Sequence, residues 1–336
     1  MRPTNRLSIL GNPANDLVAQ RGRSIQGEMK MRHVLIAAIV CMSMSAVASV
    51  ENGAWSSVRS WVYQLCNYKD DCLDEVTESR FDLAVIDLSR DGGTGYFTQE
   101  EIRAVKASGK IVLAYFSIGS IEEYRPEWIS TPNDLKAGKV EGWPKEQYVK
   151  YWDERWWAVV KMRVDHALKA GFDGAYLDMV TTYEEIPNSG MRTEERARRM
   201  VDLIARISGY AKSKDPGFRI VPQNCPELYT WSYWEPKQNE KYINAIDGLG
   251  LESVFYMAHD KPADKDWCEE NRKNALAIRK AGKLVLGVDY AEKPASITDA
   301  YSKQRELGFV PYVSVKTLDR IQKKPESNKP DAGDGK

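Results

Sequence analysis

Two acids, Asp178 and Glu252, end short apolar runs in GFDGAYLDMV and GLGLESVFY. A carboxyl at the end of a buried strand carries a desolvation cost that a partner or a function must offset. Two such groups facing one ligand have the chemistry of glycosidic hydrolysis: one protonates the leaving oxygen, and the other, ionised, attacks the sugar or activates water. Asp and Glu also ligate Ca²⁺ or Mg²⁺, so the pair alone leaves a metal reading open. Asp87 in VIDLSRDG and Asp289 in LGVDY occupy matching places on other runs. Each either holds sugar hydroxyls or an amino group, or pairs with a donor such as Arg90. Other chemistries find less support. Three His in 336 residues are few for a His-rich metal centre, and no GxSxG elbow accompanies His259. The DGGTG of residues 91–95 lacks the Walker lysine and the dinucleotide spacing, and reads as a loop.

The elements that would position these acids repeat along the chain. Eight β-branched or aromatic runs, WVYQL (61–65), LAVIDLS (83–89), IVLAYFSI (111–118), GAYLDMV (174–180), RIVPQN (219–224), GLGLESV (248–254), KLVLGVDY (283–290) and FVPYVS (309–314), alternate with helical stretches. Thr98 and Glu101 form a capping box, 153–170 and 193–212 are amphipathic, and Gly109, Gly171, Gly217, Gly282 and Gly308 sit where a helix must stop with positive φ. Eight strand–helix units over roughly 250 residues predict a (β/α)8 TIM barrel in a single domain, with a doubly wound sheet as the alternative. Polar residues gather at the ends of the runs, including Gln64, Asp87, Ser117, Asp178, Gln223, Asn224, Glu252, Asp289 and Ser314. In a barrel these ends share one rim, where active sites form. The longest insertions, 119–152 and 225–247, hold Trp128, Trp143, Trp152, Trp231 and Trp234, flat faces suited to sugar rings. Trp152, Trp156 and Trp157, at helical spacing, read as packing instead.

Residues 29–48 combine a basic patch (Lys30, Arg32), an apolar run to Val47 and the small-residue pattern Ala46-Val47-Ala48. This predicts a signal peptide cleaved near Ala48, a short membrane anchor being the alternative. The expected organisation is an over-called start plus signal peptide (1–48), the barrel domain (49–321) and a disordered tail (322–336). Export favours disulfides for Cys66, Cys72, Cys225 and Cys268, paired Cys66–Cys72 and Cys225–Cys268, with zinc as the alternative. Balanced charge, 48 Lys and Arg against 48 Asp and Glu, argues against a basic nucleic-acid face.

WVYQL, DLAVIDLSRDG, ASGKIVLAYFSIG with EEYRPEW, GFDGAYLDMVTTYEE, IVPQN and GLGLESVFY, in that order over roughly residues 59 to 315, resemble glycoside hydrolase family 114, the endo-α-1,4-polygalactosaminidase relatives. The resemblance implies a secreted (β/α)8 enzyme acting on α-1,4-linked galactosamine-containing polymers of biofilm matrices, and it carries the family's paired acids onto Asp178 and Glu252. In one departure, related sequences commonly have an acid directly after SIG, where this chain has Ser120, with Glu122 and Glu123 nearby. Together the readings predict an exported or periplasmic, endo-acting, retaining hydrolase. Asp178 is its nucleophile and Glu252 its general acid and base, while Asp87, Tyr115, Gln223, Asn224 and Asp289 line the cleft. A monomer acting on polysaccharide is expected, with no cofactor, no metal, no nucleic-acid partner and no membrane insertion once the signal is removed. The rivals are a non-catalytic polysaccharide-binding barrel and a glycosidase of another exopolysaccharide.

Overall fold

A computed structural model describes residues 55–231 and 234–322. The expected leader and most of the expected tail lie outside the described residues. Gln322, assigned to that tail, is anchored: its backbone N–H donates to the Tyr312 hydroxyl and its side chain to the Ala291 carbonyl, both at 3.1 Å.

The eight runs become eight strands: β1 (Trp61–Gln64), β2 (Leu83–Asp87), β3 (Ile111–Ser117), β4 (Gly174–Asp178), β5 (Arg219–Pro222), β6 (Gly248–Glu252), β7 (Leu284–Tyr290) and β8 (Val310–Ser314). Helices α1 (Asp74–Glu78), α2 (Gln99–Ala107), α3 (Glu154–Ala170), α4 (Thr193–Lys214), α5 (Pro236–Ala245), α6 (Asp266–Lys280) and α7 (Pro294–Glu306) connect them in turn. Parallel ladders run in sequence order from β1 to β5 and from β6 to β8. The β5–β6 seam is joined by Asn224 N–H to Gly250 O at 2.7 Å and Asp247 N–H to Ile220 O at 2.8 Å. At the β8–β1 seam, Leu65 N–H donates to Leu318 O at 2.8 Å and the Trp61 indole to Val310 O at 3.0 Å. Strictly sequential neighbours make this the (β/α)8 barrel and not the doubly wound alternative. No helix among the described residues is long and apolar enough to cross a membrane.

Local signals account for the helix ends. Thr98 and Glu101 exchange both bonds of the capping box at α2, and Asp153 caps α3. Gly109, Gly171, Gly282 and Gly308 adopt positive φ as expected. Gly217 does not, because α4 ends at Lys214 and the Asp215 carboxylate accepts the Gly217 N–H in a short turn.

Aromatic residues fill the barrel. Trp61 stacks on Tyr63 and Tyr176, and Tyr63 also meets Tyr115. Gly250 makes room for this core, since a Cβ there would lie 1.9 Å from the Tyr176 hydroxyl. At the amino ends of β2, β4 and β6, three aspartates stitch neighbouring strands: Asp82 accepts from Ser60 N–H, Asp173 from Val112 N–H and Asp247 from Ile220 N–H, at 2.8–2.9 Å.

The insertion after β3 forms an antiparallel sheet that the sequence did not announce, with strands Ser120–Glu122, Trp143–Val149 and Lys136–Val140 in that spatial order. Gly119 lets it approach the barrel: a Cβ there would lie 2.2 Å from Met179 O and 2.3 Å from Thr182 Oγ1.

The expected disulfides are absent, and all four described cysteines are free. Cys66 directs its sulfur at Thr317 O and Cys72 at Lys69 O, so the two sulfurs serve different carbonyls. Cys225 lies buried near Glu227 on the rim, while Cys268 is buried on α6.

Candidate active site

Asp178 ends β4 and Glu252 ends β6, half-buried on either side of β5. Tyr115, from the end of β3, donates its hydroxyl to Asp178 Oδ2 at 2.6 Å, and Met179 N–H donates to Oδ1 at 2.6 Å. Glu252 accepts from the Tyr290 hydroxyl on Oε1 and from Asn224 Nδ2 on Oε2 at 3.0 Å, while its own N–H donates to Asn224 Oδ1 at 3.1 Å. Every donor to the pair is therefore neutral. Among the described residues no Lys or Arg makes an ion pair with either acid.

Burial first, and the Glu252 charge second, push the Asp178 carboxyl up to about 7, against the Tyr115 and Met179 hydrogen bonds. Asp178 thus keeps its proton to a far higher pH than an ordinary carboxyl, because burial and a neighbouring negative charge both disfavour its ionised form. The backbone beside the two acids is strained: Met179 (φ 60), Asn224 (φ 64) and Ser253 (φ 51) follow the ends of β4, β5 and β6 in the left-handed region without being glycine. Such conformations cost energy and persist where the surroundings over-determine them.

Tyr115 and Asn224, expected to line the cleft, touch the acids directly and are half-exposed. The other three expected lining residues sit behind the cleft instead. Asp87, 4% exposed, grips the Arg125 guanidinium through both oxygens at 2.9 and 2.7 Å and accepts the Ser89 N–H. The donor proposed for it, Arg90, is engaged bidentately by Glu101. Gln223 accepts the Tyr63 hydroxyl at 2.9 Å deep in the barrel. Asp289 has no exposed surface and accepts Phe255 N–H, Tyr256 N–H and Gln304 Nε2 at 2.7–2.8 Å. It braces the loop after Glu252, and burial pushes its carboxyl up to about 6.

Arg125, Tyr290 and Glu146, which sequence reasoning did not single out, complete the site together with Glu122, noted there only as an acid near Ser120. Arg125 neutralises Asp87 and Glu122 together, and Tyr290 holds Glu252. Glu122 and Glu146 face each other on adjacent antiparallel strands of the insertion. Ser120, where an acid was expected, donates its hydroxyl to Glu146 Oε1, so a carboxyl reaches this place from the opposite strand. Burial, then the Glu122 charge, push Glu146 up to about 8, with Asp178 adding to the effect. Of the rim aromatics, Trp143 and Tyr124 are exposed, whereas Trp156 is fully buried and donates to Ile118 O at 2.8 Å. Among the described residues no three His, Cys, Asp or Glu converge as metal ligands.

A sequence profile of Glycoside-hydrolase family GH114 matches residues 44–329. Uncharacterised proteins of Deinococcus radiodurans and Methanocaldococcus jannaschii are 32% and 33% identical, over 80% and 76% of this chain and 84% and 75% of theirs. The fold is shared with Aspergillus fumigatus Ega3, solved in complex with galactosamine (TM-score 0.62, 15% identity, 80% of this chain and 96% of that one). It is shared equally with the glycoside hydrolase domain of Pseudomonas aeruginosa PelA (TM-score 0.62, 17% identity, 79% and 97%). Profile, relatives and barrel agree, and the chain belongs to glycoside hydrolase family 114.

Proposed function

We propose that the protein is an exported, endo-acting hydrolase of polysaccharides containing α-1,4-linked galactosamine or N-acetylgalactosamine. The observation that carries this reading is the acid pair itself: two half-exposed carboxyls on the barrel rim, held by neutral donors only among the described residues. Export rests on the leader read in residues 29–48, and the choice of sugar on the family resemblance and on the galactosamine bound to the structural neighbour Ega3.

In the proposed reaction the Asp178 carboxylate attacks the anomeric carbon as the glycosidic C–O bond breaks, and Glu252 gives its proton to the departing oxygen. Glu252, now ionised, takes a proton from water. The resulting hydroxide displaces Asp178 from the anomeric carbon, and configuration is retained. Tyr115 and Met179 N–H hold the nucleophile, while Tyr290 and Asn224 hold the acid.

The test is reducing-end release from partially deacetylated α-1,4-galactosamine polymer by the wild type, Asp178→Asn and Glu252→Gln, with product anomers followed by NMR. Release that disappears in both variants supports the reading. Binding without release by folded wild type would replace it with a polysaccharide-binding barrel. Release from neutral polymers alone would replace the substrate.

A further inference from the structure

We infer that Glu146 is a specificity-determining residue, whose carboxylate receives the ammonium group of an unacetylated amino sugar bound beside the acid pair. The inference deepens the proposed hydrolase reading and rests on it.

Geometry comes first. In the antiparallel pairing of Ser120–Glu122 with Trp143–Val149, Ser120 lies opposite Tyr148 and Glu122 opposite Glu146, which puts these four side chains on one face. That face addresses the Asp178 region: the Tyr148 hydroxyl reaches Glu185 just past β4, and Gly119 packs on Met179 and Thr182. Glu146 keeps partial exposure, so an incoming group can reach it. Its Oε1 accepts the Ser120 hydroxyl, and its Oε2 has no hydrogen-bond donor among the described residues.

Charge comes second. Asp178, Glu252 and Glu146 have only neutral donors, and Arg125, the cation facing this cluster, already divides its guanidinium between Asp87 and Glu122. Glu122 is 4% exposed, and its Oε2 is buried without any hydrogen-bond partner. Against burial, Arg125 and the Arg163 charge hold the Glu122 carboxyl below the usual carboxylate range, so the carboxyl beside it that lacks a cation among the described residues is the partly open Glu146. The described residues offer no three-ligand metal geometry, whereas an ammonium needs only acceptors, which is what this face supplies. Glu122, Arg125, Asp178, Tyr115, Tyr124 and Tyr148 all act electrostatically on or with Glu146. Burial first, then the Glu122 and Asp178 charges, raise the Glu146 carboxyl against Ser120 and Arg125, so an arriving positive charge favours its ionised form.

The experiment compares binding of a deacetylated α-1,4-galactosamine oligomer with its N-acetylated counterpart by calorimetry. The Glu252→Gln background keeps the oligomers intact, and Glu146→Gln and Glu146→Asp are added to it. We expect the parent to prefer the cationic oligomer, with an affinity that declines as salt rises. Glu146→Gln should weaken that oligomer by roughly tenfold to a hundredfold, the scale of a hydrogen bond to a charged group, and leave the acetylated one within about twofold. Glu146→Asp, which keeps the charge, should recover part of the preference. A parent without preference, or a preference that survives Glu146→Gln in protein with parental melting, overturns the inference. Reducing-end release by the wild type is a separate readout: preference lost with Glu146 but no hydrolysis would keep the inference and sink the hydrolase reading.

Discussion

The even-numbered strands of the first six carry an acid at each end, five residues apart: Asp82 and Asp87 on β2, Asp173 and Asp178 on β4, Asp247 and Glu252 on β6. At the amino ends these acids are saturated. Each accepts a backbone N–H of the preceding strand, and Asp173 and Asp247 add ion pairs to Lys106 at 2.6 Å and Lys212 at 2.8 Å. At the carboxyl ends only Asp87 receives a cation, while Asp178 and Glu252 are left with hydroxyl and amide donors. On β4 and β6 the acid is thus neutralised where it holds the barrel together and under-neutralised where it faces a ligand, whereas β2 reverses the order, Asp82 having only neutral donors among the described residues and Asp87 its arginine. Local conflict of this kind marks functional sites, because a structural role alone would have been better served by a cation.

The comparison breaks first on activity. Removing either carboxyl-end acid, in Asp178→Asn or Glu252→Gln, should cut hydrolysis by roughly 10² to 10⁴-fold with little change in melting, as measured by reducing-end release on folded protein. An amino-end replacement with comparable loss per folded molecule would erase the distinction. Next is Asp87, the carboxyl-end acid that does have a cation. Arg125→Met strands Asp87 and Glu122 in the interior and should cost about 3–5 kcal/mol in denaturant unfolding. The carboxyls of that variant have folded pKa values raised above the unfolded ones. Its deficit should therefore shrink as pH falls and grow as pH rises through the raised values. A pH-independent deficit would mean that the pair is not what Arg125 contributes.

A smaller effect belongs to the amino end. Asp173→Ala leaves the buried Val112 N–H without its acceptor and should cost about 1–3 kcal/mol of stability while kcat per folded molecule holds. The smallest sharpens the chemistry. Tyr115→Phe removes a hydrogen bond that favours ionised Asp178, so the acid limb of the activity profile, where this nucleophile loses its proton near about 7, should move to higher pH. No movement would dissociate Tyr115 from the acid pair, and Asp173→Ala should leave the profile in place.

Much of this was legible in the chain. Asp178 and Glu252 stand out because each interrupts an apolar run, and the run count with its closing glycines and capping box points to the barrel. Asp87 and Asp289 send the same linear signal, yet they are consumed by Arg125 and by the 255–256 backbone. An acid at a strand end does not reveal whether a partner 38 residues away will claim it. Glu146 was invisible because it lies in an insertion that reads as loop, and only the antiparallel register brings it opposite Glu122. The left-handed Met179 and Ser253 carry no signal either, since neither is a glycine.

What the sequence by itself determined is the order of strands and helices, the rim on which the acids stand and the family, all consequences of local periodicity and short motifs. What only the tertiary structure decided is which acids keep a free face, which are neutralised, and which carboxyl faces the Asp178 side of the mouth from across the insertion. Those outcomes depend on burial and on charges distant in sequence, and electrostatic energies in a low-dielectric site depend on separations in space that no linear pattern encodes.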